Sequence, residues 1–144
     1  MIWIAVMVVV LDRVTKLLTT PGTAFSLIPG ILGIRYAENT GMAFSLLSGR
    51  PWLLGLLSLL VITIGFLVLK RYRLSRIARI AAMLMLGGGV GNMLDRFFTG
   101  FVVDMIELEF VRFAIFNVAD AALTVGTVMM AACLLLDKNA FERK

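Results

Sequence analysis

Apolar residues run through this chain in four long blocks, separated by stretches rich in glycine, proline and charge. Residues 52–69 read WLLGLLSLLVITIGFLVL without one charged side chain, which is the signature of a membrane-spanning helix. Residues 114–136 form a longer run that carries a single charge, Asp120. Residues 77–98 stay apolar until Asn92, Asp95 and Arg96 near their end, and residues 1–18 begin MIWIAVMVVVL before meeting Asp12, Arg13 and Lys16. The pattern predicts four transmembrane helices at about residues 1–18, 52–69, 77–98 and 114–136. The first block lacks a basic leader and a small-residue cleavage site, so a retained helix is expected there rather than a signal peptide. Only eleven residues, about 16 Å of helix, precede Asp12, so its cytoplasmic end is expected to be very short unless leading residues are absent.

The two longer connections have a different texture. Residues 19–50 contain Pro21-Gly22, Pro29-Gly30, Gly33, Gly41 and Gly49-Arg50-Pro51 around the β-prone piece ILGIRY at 31–36. That punctuation predicts a hairpin or small twisted sheet. Its apolar residues, among them Phe25, Leu27, Ile28, Phe44, Leu46 and Leu47, suit a sheet resting on lipid or on the helix mouths. Residues 99–113 alternate Ile106, Leu108 and Phe110 with Glu107 and Glu109, as an amphipathic strand-like excursion would. The fold class is therefore an all-α membrane protein with a small β element: four transmembrane helices plus an outward-facing β-rich segment between helices 1 and 2. The whole chain forms one integral-membrane domain, without internal repeats.

Composition agrees with the pattern. The chain is 60% hydrophobic with mean hydropathy +0.98, against about 45–50% apolar residues in soluble domains. The net charge of +5 does not indicate a nucleic-acid partner, because the cations cluster beside helix ends. Lys70, Arg71, Arg73, Arg76 and Arg79 crowd the connection between the second and third blocks, and Lys138, Arg143 and Lys144 follow the fourth. By the positive-inside rule these segments, and with four spans both termini, face the cytoplasm. Cys133 stands alone, so no disulfide is available, and the chain has no histidine. Acid–base chemistry would have to come from carboxylates, and no metal-ligand cluster is evident.

Helical spacing groups the polar residues. Asn92, Asp95 and Arg96 fall within one turn, Asn117 and Asp120 share a face at i and i+3, and Asp12 and Lys16 do so at i and i+4. Under the predicted topology all three sets lie at the outward ends of their helices. One reading makes them interfacial charges neutralised by salt bridges such as Asp12–Lys16 or Asp95–Arg96. The other makes them a site. Asp104 and Asp120 are the sharper candidates, since a carboxylate near hydrocarbon usually has a partner, a water-filled cavity or a task. Two carboxylates held close share one proton, so that one takes a proton from water while the other donates to a carbonyl oxygen. A small transporter using Asp120 as its proton site is the rival from another class. It would favour a carboxylate near the bilayer midplane, and has no need of the β-rich segment. Glu107 and Glu109 read as a solvated rim. Gly87-Gly88-Gly89-Val90-Gly91 reads as a surface for close helix packing rather than a phosphate loop.

Five blocks then carry a specific likeness: Asp12-x-x-Thr15-Lys16, Asn39-x-Gly41-x-Ala43-Phe44, Gly88-x-x-Gly91-Asn92-x-x-Asp95-Arg96, Val103-Asp104 and Phe116-Asn117-x-Ala119-Asp120. In order and content they resemble the lipoprotein signal peptidases (bacterial signal peptidase II), four-helix aspartyl proteases of the inner membrane. Gly89 stands where that family often has alanine, a departure that touches packing rather than chemistry. The resemblance implies an endopeptidase that removes the signal peptide from diacylglyceryl-modified prolipoproteins, cutting before the lipidated cysteine at the outer-leaflet side. It implies Asp104 and Asp120 as the catalytic pair, with Asn39, Gly41, Asn92, Arg96 and Asn117 binding substrate or supporting the pair. Asp12, Lys16 and Asp95 would form a structural polar framework. Residues 19–47 would form an outward β-cradle, and residues 99–113 would include a mobile flap. No cofactor or metal is implied, and the expected partners are the lipidated substrate and membrane lipid, with the enzyme a monomer.

Overall fold

The computed structural model describes residues 1–41, 49–137 and 140–143. Ala43, Phe44, Leu46, Leu47, Lys138 and Lys144, all named above, lie outside the described residues. Each apolar block becomes a helix: α1 (Ile2–Leu18), α2 (Pro51–Arg71), α3 (Arg76–Phe98) and α4 (Val118–Leu136). The strands are β1 (Ala24–Ile28), β2 (Leu32–Asn39), β3 (Tyr72–Leu74), β4 (Val102–Leu108) and β5 (Phe141–Arg143). By length and composition α2, α3 and α4 can each cross a membrane, with hydropathies of 2.6, 1.4 and 1.9 over their apolar windows. The first helix is the shortest, at 17 residues, and buries Asp12 and Lys16.

Helix ends follow local chemistry. Proline opens α2 where its missing N–H costs no intrahelical bond, and the Ser75 hydroxyl caps α3. The fourth helix starts at Val118 rather than at 114, because Asn117 caps it. Asn117 Oδ1 accepts from the Asp120 backbone N–H at 2.8 Å, and Asp120 Oδ2 accepts from the Asn117 backbone N–H at 3.3 Å. This reciprocal capping box satisfies two of the N–H groups a helix start leaves open. At the end of α3 Gly100 takes a left-handed φ of +81°, which lets the chain turn out of the helix and into β4.

The third helix is central and packs against each of the other three. Its glycines divide the work between two neighbours. A Cβ at Gly87 would lie 2.8 Å from the Ala5 carbonyl oxygen, and one at Gly91 would lie 2.8 Å from Asp12 Oδ2, both on α1. Gly88 faces α4 instead, where a Cβ would strike Ala119 and Leu123. The glycine run is thus a close-packing surface toward two helices.

Two small sheets sit at opposite ends of the helices. At one end the strands run β1-β2-β4, all antiparallel. The expected β-rich segment supplies only two of these strands. The 99–113 segment, expected to include a flap, contributes the third strand, because β4 hydrogen-bonds the edge of β2 that β1 leaves open. Phe116 pairs in turn with Ile106, exchanging bonds of 2.8 and 3.1 Å, which ties the start of α4 to β4. At the other end β3 and β5 pair over a buried cluster of Leu74, Ala78, Cys133 and Ala140.

Candidate active site

Asp104 lies on β4 and Asp120 in the first turn of α4, and the Ile106–Phe116 bridge draws the two elements together. Between the carboxylates stand two amides. Asn117 Nδ2 donates to Asp104 Oδ1 at 2.7 Å and to Asn92 Oδ1 at 3.2 Å. Asn92 Nδ2 donates to Asp120 Oδ1 at 2.7 Å. The order Asp104–Asn117–Asn92–Asp120 is therefore a continuous hydrogen-bonded path from strand to helix. Asn117 is fully buried at 0% exposure, so each of its polar atoms needs these partners.

From the sheet side, Asn39 Nδ2 donates to Asp104 Oδ2 at 3.0 Å, while its Oδ1 accepts from the Gly41 N–H at 2.9 Å. That second bond fixes the amide orientation and aims its donor at the carboxylate. Asp104 thus accepts from two side-chain amides and, among the described residues, pairs with no cation. Burial, the largest influence, pushes its carboxyl up to about 6. The Asn39 bond opposes that rise and the nearby Asp120 charge adds to it. Asp120 sits where the positive end of α4 favours a carboxylate.

Arg96 leans over the same space. It donates to the Gly41 carbonyl at 3.2 Å and to the Asn92 carbonyl at 3.4 Å, while its buried Nε has no hydrogen-bond partner among the described residues. A cavity of about 730 Å³ opens here, lined by Asn39, Gly41, Asn92, Arg96, Asp104 and Asp120. An apolar groove of about 530 Å³ between α2, α3 and α4 meets it at Asn92, Arg96, Asp120 and Leu123.

A charged layer backs this site. Lys16 Nζ donates to Asp12 Oδ2 at 2.7 Å and to Asn92 Oδ1 at 3.1 Å, and makes an ion-pair contact with Asp95 Oδ2 at 2.6 Å. Asp12 Oδ1 accepts from the Ala119 N–H at 2.9 Å, which joins α1 to the start of α4. The Asp12–Lys16 pair therefore exists, but Asp95–Arg96 does not. Asp95 turns toward α1 and pairs with Lys16 and Arg13, the latter at 2.8 Å. Sequence reasoning missed Arg13 as a member of the layer. Lying beside Asp12, it is off the Asp12–Lys16 face, and only the packing of α1 on α3 brings its long side chain to Asp95. Glu107 and Glu109 stay outside the cavity, bonded to Arg35 and to Ser26 and Gly30 respectively.

Fold and site define a class: a small multi-pass membrane protein with a cavity built around two carboxylates that neutral amides hold. Residues 4–136 match the family described as signal peptidase (SPase) II. The chain belongs to that family and is a protease of the signal peptidase II type. It is 40% identical over 119 residues to a lipoprotein signal peptidase of Latilactobacillus sakei subsp. sakei (strain 23K), covering 82% of this chain and 79% of that one. It is 38% identical over 139 residues to one of Streptococcus pyogenes serotype M5 (strain Manfredo), covering 93% and 91%. A bacterial membrane enzyme solved by the in meso method at 2.3 Å superposes with a TM-score of 0.89 at 33% identity, covering 94% of this chain and 87% of that one. A second, at 1.9 Å, gives 0.82 at 32% identity, covering 95% and 93%.

Proposed function

We propose that this protein removes the signal peptide from diacylglyceryl-modified prolipoproteins, cleaving before the lipidated cysteine with a water activated between Asp104 and Asp120. The observation that carries this reading is the amide path Asp104–Asn117–Asn92–Asp120 on the wall of a single cavity. In it Asp104, buried and lifted to about 6, holds the shared proton and donates it to the scissile carbonyl oxygen. Asp120, in the first turn of α4, is the partner that takes a proton from the attacking water. The tetrahedral intermediate then collapses, the proton on Asp120 passes to the leaving amine, and Asp104 regains its own.

The remaining residues divide by their contacts. Asn39, Asn92 and Asn117 orient the carboxylates, and Arg96, whose Nε has no partner among the described residues, donates to a substrate carbonyl. The Gly41 turn borders the pocket and orients Asn39. Asp12, Lys16 and Asp95 fix α1, α3 and the start of α4 in register. At 17 residues, or about 25 Å, α1 serves as the fourth span of a hydrocarbon core about 30 Å thick. The basic residues around β3 set the orientation: both termini cytoplasmic, the three-stranded sheet a cradle at the outer leaflet of the bacterial inner membrane. The enzyme is taken to act as a monomer. No metal or cofactor takes part, so activity should survive chelators.

The test is a pair of isosteric substitutions. Asp104→Asn and Asp120→Asn should each abolish cleavage of a diacylglyceryl-modified prolipoprotein while the protein still folds and inserts. Near-normal turnover by either variant would remove the dyad assignment.

A further inference from the structure

We infer that Lys16 is a positioning residue of the reaction, which acts through the side-chain amide of Asn92 to set and strengthen the hydrogen bond that Asp120 receives. This rests on the dyad reading above and adds to it what holds the amides in the orientation the dyad needs.

Each asparagine around the carboxylates is pinned by its oxygen. Asn39 Oδ1 accepts from the Gly41 N–H at 2.9 Å, and Asn117 Oδ1 from the Asp120 N–H at 2.8 Å. Asn92 Oδ1 accepts from Lys16 Nζ at 3.1 Å and from Asn117 Nδ2 at 3.2 Å. A backbone N–H and an ammonium donate and cannot accept, so each decides which end of its amide is oxygen. Turned over, Asn92 would set its oxygen against Asp120 Oδ1, which now accepts from its Nδ2 at 2.7 Å. Its NH2 group would then face Lys16 and Asn117, donor against donor. For Asn39 and Asn117 the pin is backbone. For Asn92 it includes a side chain from another helix.

That side chain is also charged. A hydrogen bond from an ionised donor is roughly twice as strong as a neutral one, and bonds in series polarise one another away from water. The series here runs from Lys16 Nζ to Asn92 Oδ1, and from Asn92 Nδ2 to Asp120 Oδ1. Lys16 and Asn92 are both buried, so solvent does not damp it. Asp12 Oδ2 at 2.7 Å and Asp95 Oδ2 at 2.6 Å clamp the ammonium in place from α1 and α3. Lys16 lines neither the dyad cavity nor the apolar groove, whereas Asn92 lines both. The lysine therefore meets no substrate held there, and reaches the dyad through the amide.

The experiment is a double-variant cycle on a diacylglyceryl-modified prolipoprotein: wild type, Lys16→Met, Asn92→Ala and the two together, with rates per folded molecule. Rates are taken below about pH 6, so that the direct pull of Lys16 on the Asp104 carboxyl does not enter. Lys16→Met should lower kcat about tenfold, the lower end of what a residue acting through a ligand costs at metal sites, and leave KM in place. In the Asn92→Ala background the same substitution should cost no further kcat. An unchanged kcat per folded Lys16→Met molecule would leave the lysine a strut alone. Losses that multiply in the double variant would make its effect independent of Asn92. Either result would overturn the assignment.

Should Lys16→Met fail to fold, Asp12→Asn and Asp95→Asn are added, which takes away the carboxylates left without their lysine. In that neutral layer Asn92→Ala should cost about tenfold less kcat than in wild type, and an equal cost would overturn the assignment. A second readout needs no turnover. The Asn92 side-chain amide protons, assigned by their loss in Asn92→Ala, should move upfield in NMR when Lys16 becomes Met, as the bond to Asp120 weakens. Unmoved resonances would overturn the coupling. If wild type cleaves no prolipoprotein at all, the proposed function falls, and the amide resonances still decide whether Lys16 acts on Asn92.

Discussion

Two layers of carboxylates lie within a few turns of one another, and they are held in opposite ways. Asp12 and Asp95 are locked to cations, with Lys16 between them and Arg13 on the far oxygen of Asp95. Among the described residues Asp104 and Asp120 receive only neutral donors: the side-chain amides of Asn39, Asn92 and Asn117, and a backbone N–H. A buried carboxylate clamped by a lysine between two helices serves as a strut. One held by amides keeps its charge balanced finely enough to gain or lose a proton. On the function proposed above, this difference separates framework from chemistry more clearly than burial does, since Asp12 at 2% and Asp104 at 3% exposure are equally hidden.

The comparison is broken most forcefully through Lys16. Lys16→Met should leave two buried carboxylates short of their cation and cost about 3–5 kcal/mol, the scale for removing one partner of a buried ion pair. Thermal unfolding in detergent would read this as a large fall in midpoint. Asp104→Asn should not lower the midpoint while abolishing turnover. If Lys16→Met instead kept its stability and lost only activity, the lysine would belong to the reacting layer.

Next in size is the bridge. Asn117→Ala removes the donor to Asp104 and the cap of α4 together. The cap should cost about 1 kcal/mol of stability. Activity should fall far more than that, on the order of a hundredfold, because the carboxylates lose their common amide. A loss of activity no greater than the loss of folded protein would make Asn117 a cap and nothing else.

Much of this arrangement was legible in the sequence, and the parts that were not share a cause. Asp104 and Asp120 stood out because charge beside an apolar run demands a reason, and Asn92, Asn117 and Lys16 followed by helical spacing. The Asn117-x-x-Asp120 spacing is itself a capping box, and it signals a helix start at 118 that the apolar run, judged by hydropathy, extended to 114. Other features depend on rotation and pairing, which no local pattern records. Arg13 reaches Asp95 because Gly87 and Gly91 let α1 lie against α3. Residues 106–110 alternate as a strand should, but nothing in them says that β2 is the partner of this segment rather than solvent. The β3–β5 pair joins residues far apart in the chain whose short strands carry no periodic signal.

A gentler probe is pH. Asp104 carries its proton below about 6 and loses it above. In the free enzyme kcat/KM should therefore fall on the alkaline side, approaching tenfold per pH unit. The same shift acts on stability. Because the folded value lies above the ordinary 3.8, the contribution is fully present below 3.8 and is lost as pH rises through about 6. It amounts to about 3 kcal/mol at most. Asp104→Asn should flatten that part of the stability curve, and a curve of unchanged shape would mean that another group titrates there.

The smallest effect is expected at Glu107, and it tests where the reacting layer ends. Glu107 shares β4 with Asp104 and lies three residues from it, but its partner is Arg35 at 2.9 Å, which is 57% exposed. An exposed pair of this kind is worth about 0–1 kcal/mol, and Glu107 faces away from the cavity that Asp104 lines. Glu107→Gln should therefore retain most activity and shift the unfolding midpoint barely at all. A complete loss of turnover would extend the reacting layer along β4 beyond Asp104. The distinction between carboxylates held by amides and those held by cations would then no longer mark the site.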